Sequence, residues 1–204
     1  ETAPVSSLTE FRYALNRELV KTIVLKKYVD VSVDLGIIDC HNKKIVPDFS
    51  GIYMLSFSTA RLDMGNLIVD GNNVSTVQRV VNLANSRSLN FENVIFQNTE
   101  GFQYIIYASE NDTTGAYDIV ASNCSFSPVK NYVLFATTSA VNKGKPGYGK
   151  KLTLTGNTFA SGANIKIEAG IATLANNIIN SKIEAMIGAT LNGVVITDQE
   201  SAQQ

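Results

Sequence analysis

The chain repeats one short pattern along its length: an alternating apolar strand, a polar turn that contains asparagine, and then a phenylalanine or isoleucine. A looser copy at 62–68 comes before the regular copies, which lie at 89–96, 119–126, 152–159, 172–179 and 189–196. A second apolar strand follows most copies, at 104–107, 132–135, 163–167 and 182–187. Such self-similarity is typical of repeat proteins whose units stack on one another.

Parallel stacking of these repeats explains the pattern better than two competing architectures. Helical repeats need long helix-forming stretches, whereas these segments are rich in β-branched residues, Asn and Gly. A β-sandwich would pair its strands through tight hairpins, whereas here the same motif returns in the same phase. The sequence therefore predicts an all-β fold, a right-handed parallel β-helix (a solenoid) at 21–198, with a polar tail at 199–204.

The asparagines of the repeat form a second regularity. Asn93 and Asn123 occupy one register, and Asn157 and Asn177 lie one place later. Because a carboxamide carries both donors and acceptors, stacked Asn side chains can bond to one another along the axis of a solenoid. We therefore interpret the asparagines as a structural ladder and not as a ligand site.

Residues 1–20 are predicted to cap the N-terminal end of the core with a short helix. Ser7 and Glu10 have the spacing of a capping box, and the following apolar residues share one helical face: Leu8, Phe11 and Leu15. Residues 197–204 contain no equivalent helix, so we expect a partner subunit or a longer chain at that end. The absence of methionine at Glu1 likewise predicts a segment upstream that was removed.

Composition excludes several classes of function. A net charge of −1 provides no field for nucleic acid, and no apolar run reaches the roughly 20 residues of a membrane span. The single histidine, His41, excludes a multi-histidine metal site and is predicted to be a satisfied turn residue. Cys40 and Cys124 are far apart, so we expect two buried free thiols.

Two features resemble the pectate-lyase-like parallel β-helix superfamily. The helix at 7–19 with the strand at 21–26 resembles its N-terminal cap, and the Asn-x-x-Phe copies at 93–96 and 123–126 resemble its turn ladder. Members include polysaccharide lyases and hydrolases, bacteriophage tailspikes and secreted surface proteins of gut bacteria. The resemblance implies an extracellular, cell-surface or virion protein that contacts polysaccharide, and it is compatible with a homo-oligomer such as a trimer.

The best candidate for catalysis is the pair of acids Asp63 and Glu92. Neighbouring coils of such a fold lie about 4.8 Å apart, so two acids on one face could act together. Arg61 or Arg87 would assist. However, Asp63 aligns with Glu92 only after a one-residue shift, and the aligned outward positions are otherwise small and nearly uncharged: Ser122, Thr155, Ala175 and Asn192. The alternative is that both acids are solvated surface residues.

No metal or other cofactor is predicted. Asp70 opens an Asp-Gly-Asn-Asn sequence that could bind calcium, although as a turn it needs no metal.

The predicted ligand site lies on two long insertions after neighbouring second strands, at 108–116 and 136–150. Long loops on a rigid scaffold commonly carry binding. The candidate residues are an aromatic ring for a sugar, lysines for acidic sugars and acids on the neighbouring loop: Tyr148, Lys143, Lys145, Lys150, Glu110 and Asp112. The alternative is that these charges pair and keep the loops soluble. Lys166 and Glu184 are predicted to form an exposed ion pair across two coils.

We therefore expect a glycan-contacting β-helix that recognises a receptor or surface polysaccharide without strong catalysis. One alternative is a polysaccharide lyase or glycoside hydrolase that works through Asp63 and Glu92. Another is a purely structural spacer that oligomerises through its Thr-rich strip and open end.

Overall fold

The computed structural model describes residues 1–83, 87–110, 118–138, 151–168 and 170–197, without the side chains of residues 109, 110 and 138. In these residues the chain is strand-rich, with a single α-helix, α1 (Leu8–Asn16), and two long β-sheets. Strands are labelled in chain order. No helix in the described ranges is long and apolar enough to cross a membrane.

The larger sheet has 13 strands. They are β1 (Thr2–Val5), β2 (Thr22–Leu25), β4 (Ile37–Pro47), β6 (Arg61–Asp70), β8 (Ser88–Gln97), β10 (Asp118–Ser122), β11 (Ser125–Phe126), β13 (Lys151–Thr155), β14 (Thr158–Phe159), β16 (Ile171–Ala175), β17 (Ile178–Ile179), β19 (Thr190–Leu191) and β20 (Val194–Val195). The smaller sheet has 7 strands. They are β3 (Val29–Val31), β5 (Gly51–Phe57), β7 (Val77–Leu83), β9 (Tyr104–Glu110), β12 (Tyr132–Thr138), β15 (Ile165–Ile167) and β18 (Ile183–Ala185).

From β2 onward the chain passes between the two sheets in turn, and from β10 onward it places two successive strands in the larger sheet before it leaves that sheet. Each strand pairs in parallel with the strand that the chain laid down one pass earlier, so the smaller sheet has the order β18-β15-β12-β9-β7-β5-β3. Among the strands of the described residues, only β19 and β20 pair antiparallel. The prediction that the repeats form parallel strands is confirmed.

The phenylalanines that end the repeats lie in one row of the larger sheet. Phe126 pairs in register with Phe96 on one side and with Phe159 on the other, and Phe159 pairs with Ile179. All three phenylalanine side chains are buried. Neighbouring rings stack with centroids 5.0 and 4.8 Å apart. The predicted alignment of the first four copies is therefore confirmed.

The fifth copy departs from the predicted alignment. Ala172 pairs with Leu191 and not with the predicted Ala189, a displacement of two residues. Asn192 and Gly193 both have positive φ, 49° and 81°, and reverse the chain into a two-residue hairpin. Ile196 consequently does not extend the row of phenylalanines, and Asn192 is not in the row of Ala175.

The predicted N-cap at Ser7 is confirmed, although Glu10 reaches back to Ser6 and not to Ser7 itself. The Ser7 hydroxyl accepts a hydrogen bond of 3.2 Å from the backbone N–H of Glu10, whose carboxylate accepts one of 3.0 Å from the N–H of Ser6. Phe11 and Leu15 are buried, so α1 packs its apolar face on the core. The helix ends at Asn16, three residues before the predicted end.

Two features of this end were not predicted. Strand β1 precedes the helix and pairs with β2, and it carries Pro4, which cannot donate a ladder hydrogen bond at the sheet edge. Lys43 is buried, and its ammonium donates hydrogen bonds to the carbonyls of Ala14 and Arg17 at the C-terminal end of α1. A cation there complements the negative end of the helix dipole.

The repeat asparagines occupy two adjacent positions with different roles. Asn66, Asn93, Asn123 and Asn176 all have φ between 54° and 59°, a left-handed conformation that asparagine tolerates better than most residues. They form the corner where the strands of the larger sheet bend. The Asn93 side chain donates a 2.7 Å hydrogen bond to that of Asn66, as expected of a ladder.

The next position points into the core and changes character along the sheet. It is apolar in the earlier passes and becomes Asn157 and then Asn177 in the later ones. Asn157, which is 1% exposed, accepts a 2.8 Å hydrogen bond from the N–H of Cys124 and donates one of 2.9 Å to the carbonyl of Ala121. The predicted hydrogen bonding of the asparagines along the sheet is therefore confirmed, and the partners of their side chains include backbone groups.

Candidate functional site

Strands β5, β7, β9 and β12 of the smaller sheet share a local bend at two successive buried residues, which places two outward side chains close together. In β9, Ile105 and Ile106 are both buried, so two successive residues face the core and the usual alternation is interrupted. The residues on either side, Tyr104 and Tyr107, are half-buried and face outward. Strand β12 repeats this arrangement with Tyr132 and Phe135 around a buried Val-Leu pair.

These four rings, Tyr104, Tyr107, Tyr132 and Phe135, form one cluster that we call the aromatic patch. Tyr132 pairs in register with Tyr104, and Phe135 pairs with Tyr107. Phe135 stacks on Tyr104 with centroids 5.3 Å apart and meets Tyr107 edge-on at 5.4 Å. Tyr104 and Tyr107 are 5.0 Å apart. The result is a continuous, half-exposed aromatic surface on the outside of the sheet.

Among the described residues, two cations border the aromatic patch. The guanidinium carbon of Arg79 lies 3.7 Å from the ring centroid of Tyr107, which is a cation–π contact. Its Nη1 donates a 2.7 Å hydrogen bond to Asn82, whereas its Nε is buried and has no hydrogen-bond partner among the described residues. On the other side the ammonium of Lys166 lies 5.6 Å from the ring centroid of Tyr132.

Glu184 binds one of the three hydroxyls of the aromatic patch. Tyr132 donates a 2.8 Å hydrogen bond to the Glu184 carboxylate. Burial, and then the bond to Glu184 and its negative charge, raise the pKa of Tyr132 to about 12. Glu184 does pair in register with Lys166, as predicted, but the two described side chains form no ion pair within 4.0 Å. The predicted ion pair is wrong: the Glu184 carboxylate accepts from Tyr132, and the Lys166 ammonium lies beside the ring of that tyrosine.

A buried acid lies close to the patch. Glu168 is 5% exposed, follows β15 directly and accepts a 2.8 Å hydrogen bond from the hydroxyl of Thr137. Thr137 belongs to β12, the strand that also carries Tyr132 and Phe135. Sequence analysis did not identify this acid, because nothing in the local sequence distinguishes it from a surface glutamate.

Most of the predicted loop site lies outside the described residues, namely Asp112, Lys143, Lys145, Tyr148 and Lys150. Glu110 is the last residue of β9 and is the register partner of Thr138, but its side chain is not among those described. The loop site therefore stays a prediction. The two strands that lead into these insertions, β9 and β12, are neighbours and are the strands that carry the aromatic patch.

The predicted catalytic pair is not aligned as expected. Asp63 pairs in register with Asn90, whereas Glu92 pairs with Gly65, so the two acids are offset by two positions. The register prediction was wrong because it required a one-residue shift in the loosest copy. A catalytic role for either acid stays a prediction.

The two acids also have different surroundings. Asp63 is 7% exposed, and both of its oxygens are bound by Arg61, at 2.7 Å from Nε and 3.4 Å from Nη2. Glu92 is exposed and lies beside Ser122 of the next pass.

The Asp70 carboxylate is occupied by protein donors. It accepts hydrogen bonds from the N–H of Asn72 at 2.8 Å, from Asn98 at 3.1 Å and from Gln97 at 3.2 Å. Burial raises the pKa of Asp70, but these bonds and the nearby Lys44 outweigh it, so the pKa lies below its usual value. In the described part of the chain no group of three His, Cys, Asp or Glu residues could hold a metal.

His41 was predicted to lie in a turn but lies within strand β4, at the irregularity in register between Asp39 and Lys43. It has φ of 53°, and its backbone N–H donates a 2.9 Å hydrogen bond to Asp39. This bond, with one from Asn66, lowers the pKa of Asp39.

The aromatic patch was the main feature that sequence analysis missed. The sequence does contain a pattern that could have indicated it. An aromatic residue stands on either side of two aliphatic residues at 104–107, and again at the equivalent positions 132–135. No protein-family model, no curated protein and no solved structure matches the chain.

Proposed function

We propose that this chain is a carbohydrate-binding protein that contacts a surface polysaccharide through the aromatic patch. The observation that carries this proposal is the cluster of four half-buried rings bordered by Arg79 and Lys166. Sugar rings have apolar C–H faces and polar edges. Aromatic rings with a few fixed polar groups suit such a molecule, because they bury the apolar face and hydrogen-bond the edge.

The fold proposed for this function is a right-handed parallel β-helix of the pectate-lyase-like type. Three observations support it: the chain alternates between two parallel sheets, asparagines recur at one corner, and a capped helix packs on the first pass. Crossovers between parallel strands are right-handed in nearly all proteins. The setting proposed is extracellular, on a cell surface or a virion.

Binding is favoured over catalysis because carboxylates near the patch and on the larger sheet are already bound by other side chains. The Asp63 carboxylate is held by Arg61, and that of Glu184 accepts from Tyr132. The predicted catalytic pair is also offset in register. Polysaccharide cleavage is kept as the alternative, with Asp63 and Glu92 as its candidate residues.

The test is a panel of immobilised polysaccharides (polygalacturonate, alginate, xylan, mannan and dextran) with retention and released oligosaccharides measured together. We expect retention on at least one of them, lost in Tyr107→Ala and Phe135→Ala. Tyr13→Ala is the matched control, since Tyr13 is 64% exposed on α1, away from the patch. Thermal unfolding of each variant confirms that it is folded.

Retention on none of the panel, or retention that both patch variants leave unchanged, would refute binding at the patch. Released fragments that disappear in Asp63→Asn or Glu92→Gln would establish the enzyme instead.

A further inference from the structure

A second aromatic site lies on the same sheet, closer to the N-terminus. A pocket of about 360 Å³ is lined by Tyr28, Phe49 and Tyr53, together with Lys27 and Ile52. Tyr28 and Tyr53 meet edge-on with centroids 5.4 Å apart, and the ammonium of Lys27 lies 5.5 Å from the Tyr28 centroid. Tyr28 is 39% exposed and Ile52 is 52% exposed, so the apolar walls are open to solvent.

A glycine lies against one wall of the pocket. A Cβ at Gly51 would lie 2.9 Å from the Phe49 ring, so a larger residue there would displace the ring from its present position. The ring then forms a wall of the pocket.

The pocket and the aromatic patch belong to one column of the sheet. Tyr53 pairs in register with Arg79, Arg79 with Tyr104, and Tyr104 with Tyr132. Neighbouring strands lie about 4.8 Å apart, so Tyr53 and Tyr132 are separated by roughly 14 Å along the stacking direction. Every member of the column is aromatic except Arg79, whose guanidinium lies over the rings of Tyr104 and Tyr107.

Arg79 is the member of this column with unused hydrogen-bonding capacity. Its one described hydrogen bond goes to Asn82, and its Nε has no partner within the described part of the chain. Buried donors without partners are uncommon in folded proteins. A ligand between the pocket and the patch, with hydroxyl or carboxylate oxygens, would accept hydrogen bonds from the accessible part of this guanidinium, and a shift of the side chain would be needed for the buried Nε to take part.

We propose that the pocket of Tyr28, Phe49 and Tyr53 is a second sugar subsite, and that one linear polysaccharide chain runs across the strands from this pocket over Arg79 to the aromatic patch. A single sugar cannot bridge two sites so far apart, whereas an oligosaccharide can. This inference rests on the proposed function. It adds the direction in which the polysaccharide runs across the sheet and a minimum length for the ligand.

The direct test measures binding of size-graded oligosaccharides, prepared by partial hydrolysis of whichever panel polysaccharide is retained. For the wild-type protein we expect affinity to rise with length until the chain reaches both sites, because the second contact is then intramolecular. Tyr28→Ala and Tyr53→Ala should weaken binding of the long oligosaccharides about tenfold and leave the shortest bound ones unchanged. Tyr107→Ala should weaken binding at every length.

Ile52→Gln removes an apolar wall at the rim of the pocket without deleting a ring, and it decides the question if a tyrosine variant fails to fold. Affinity for long oligosaccharides that is unchanged in these pocket variants, while Tyr107→Ala abolishes binding, would overturn the second subsite and leave the proposed function intact. No binding by the wild-type protein at any length would overturn the proposed function itself.

Discussion

The hydroxyl of Tyr132 reaches across a whole strand to the carboxylate of Glu184. Tyr132 lies in β12 and Glu184 in β18, with β15 between them, and the hydrogen bond is 2.8 Å long. The bond fixes the edge of the aromatic patch, and with burial it makes ionisation of the phenol unfavourable.

We therefore expect Tyr132 to ionise at a higher pH than free tyrosine. The phenolate absorbance of the wild-type protein and of Tyr132→Phe is measured against pH, and the second curve is subtracted from the first. We expect the difference to rise in a step near pH 12, whereas free tyrosine ionises near pH 10. Because the folded pKa is raised, the stability that this phenol contributes is complete below about pH 10 and is lost as the pH rises through 12. Glu184→Gln should move the step downward. A step near pH 10 in the wild-type protein would contradict the contact.

Asn157 should be important for stability. In Asn157→Ala the N–H of Cys124 and the carbonyl of Ala121 lose their buried partner, which we expect to lower the free energy of unfolding by about 2 kcal/mol or more. Asn180 is exposed in the same part of the chain, and Asn180→Ala should cost less than about 0.5 kcal/mol. Chemical denaturation measures both, and equal costs would count against the ladder.

The corner position tests backbone conformation separately from side-chain bonding. Asn123 has φ of 54°, where a Cβ is strained. Asn123→Ala should therefore destabilise the protein by about 1 kcal/mol relative to Asn123→Gly, which has no Cβ. Denaturation curves of the two variants give this difference directly. If alanine proved as stable as glycine, a left-handed conformation at this corner would be ruled out.

Both thiols should be unreactive in the folded protein. Burial raises the pKa of Cys40 to about 12 and that of Cys124 to about 11, and the thiolate is the form that reacts. A disulfide-exchange reagent at neutral pH should label neither thiol in the native state and both after unfolding. Rapid labelling of native protein, traced with Cys40→Ala or Cys124→Ala, would show that the labelled thiol is accessible.

Local sequence patterns were enough to predict the strands and the N-terminal helix. The alternation that ends at Phe96, Phe126 and Phe159 predicted one row of core residues, because side chains in a strand point to opposite faces in turn. Ser7 and Glu10 predicted the start of the helix because a capping box needs only residues three apart.

Register between passes was harder to predict where a copy is irregular. The displacement of the fifth copy depends on a hairpin at Asn192 and Gly193, and the offset between Asp63 and Glu92 depends on the loosest repeat. A slip of one residue reverses the face of every side chain, so pattern alone constrains such segments weakly.

The sequence by itself determined the strands, their parallel order and the buried row of phenylalanines, since each follows from spacing along the chain. Only the tertiary structure decided the aromatic patch. Tyr104 and Tyr107 are three residues apart and would face opposite sides of a regular strand, yet a bend at two buried isoleucines brings both to the outer face. Which side chains face outward depends on where the alternation is interrupted, and pairing in register places the interruption of β9 beside that of β12.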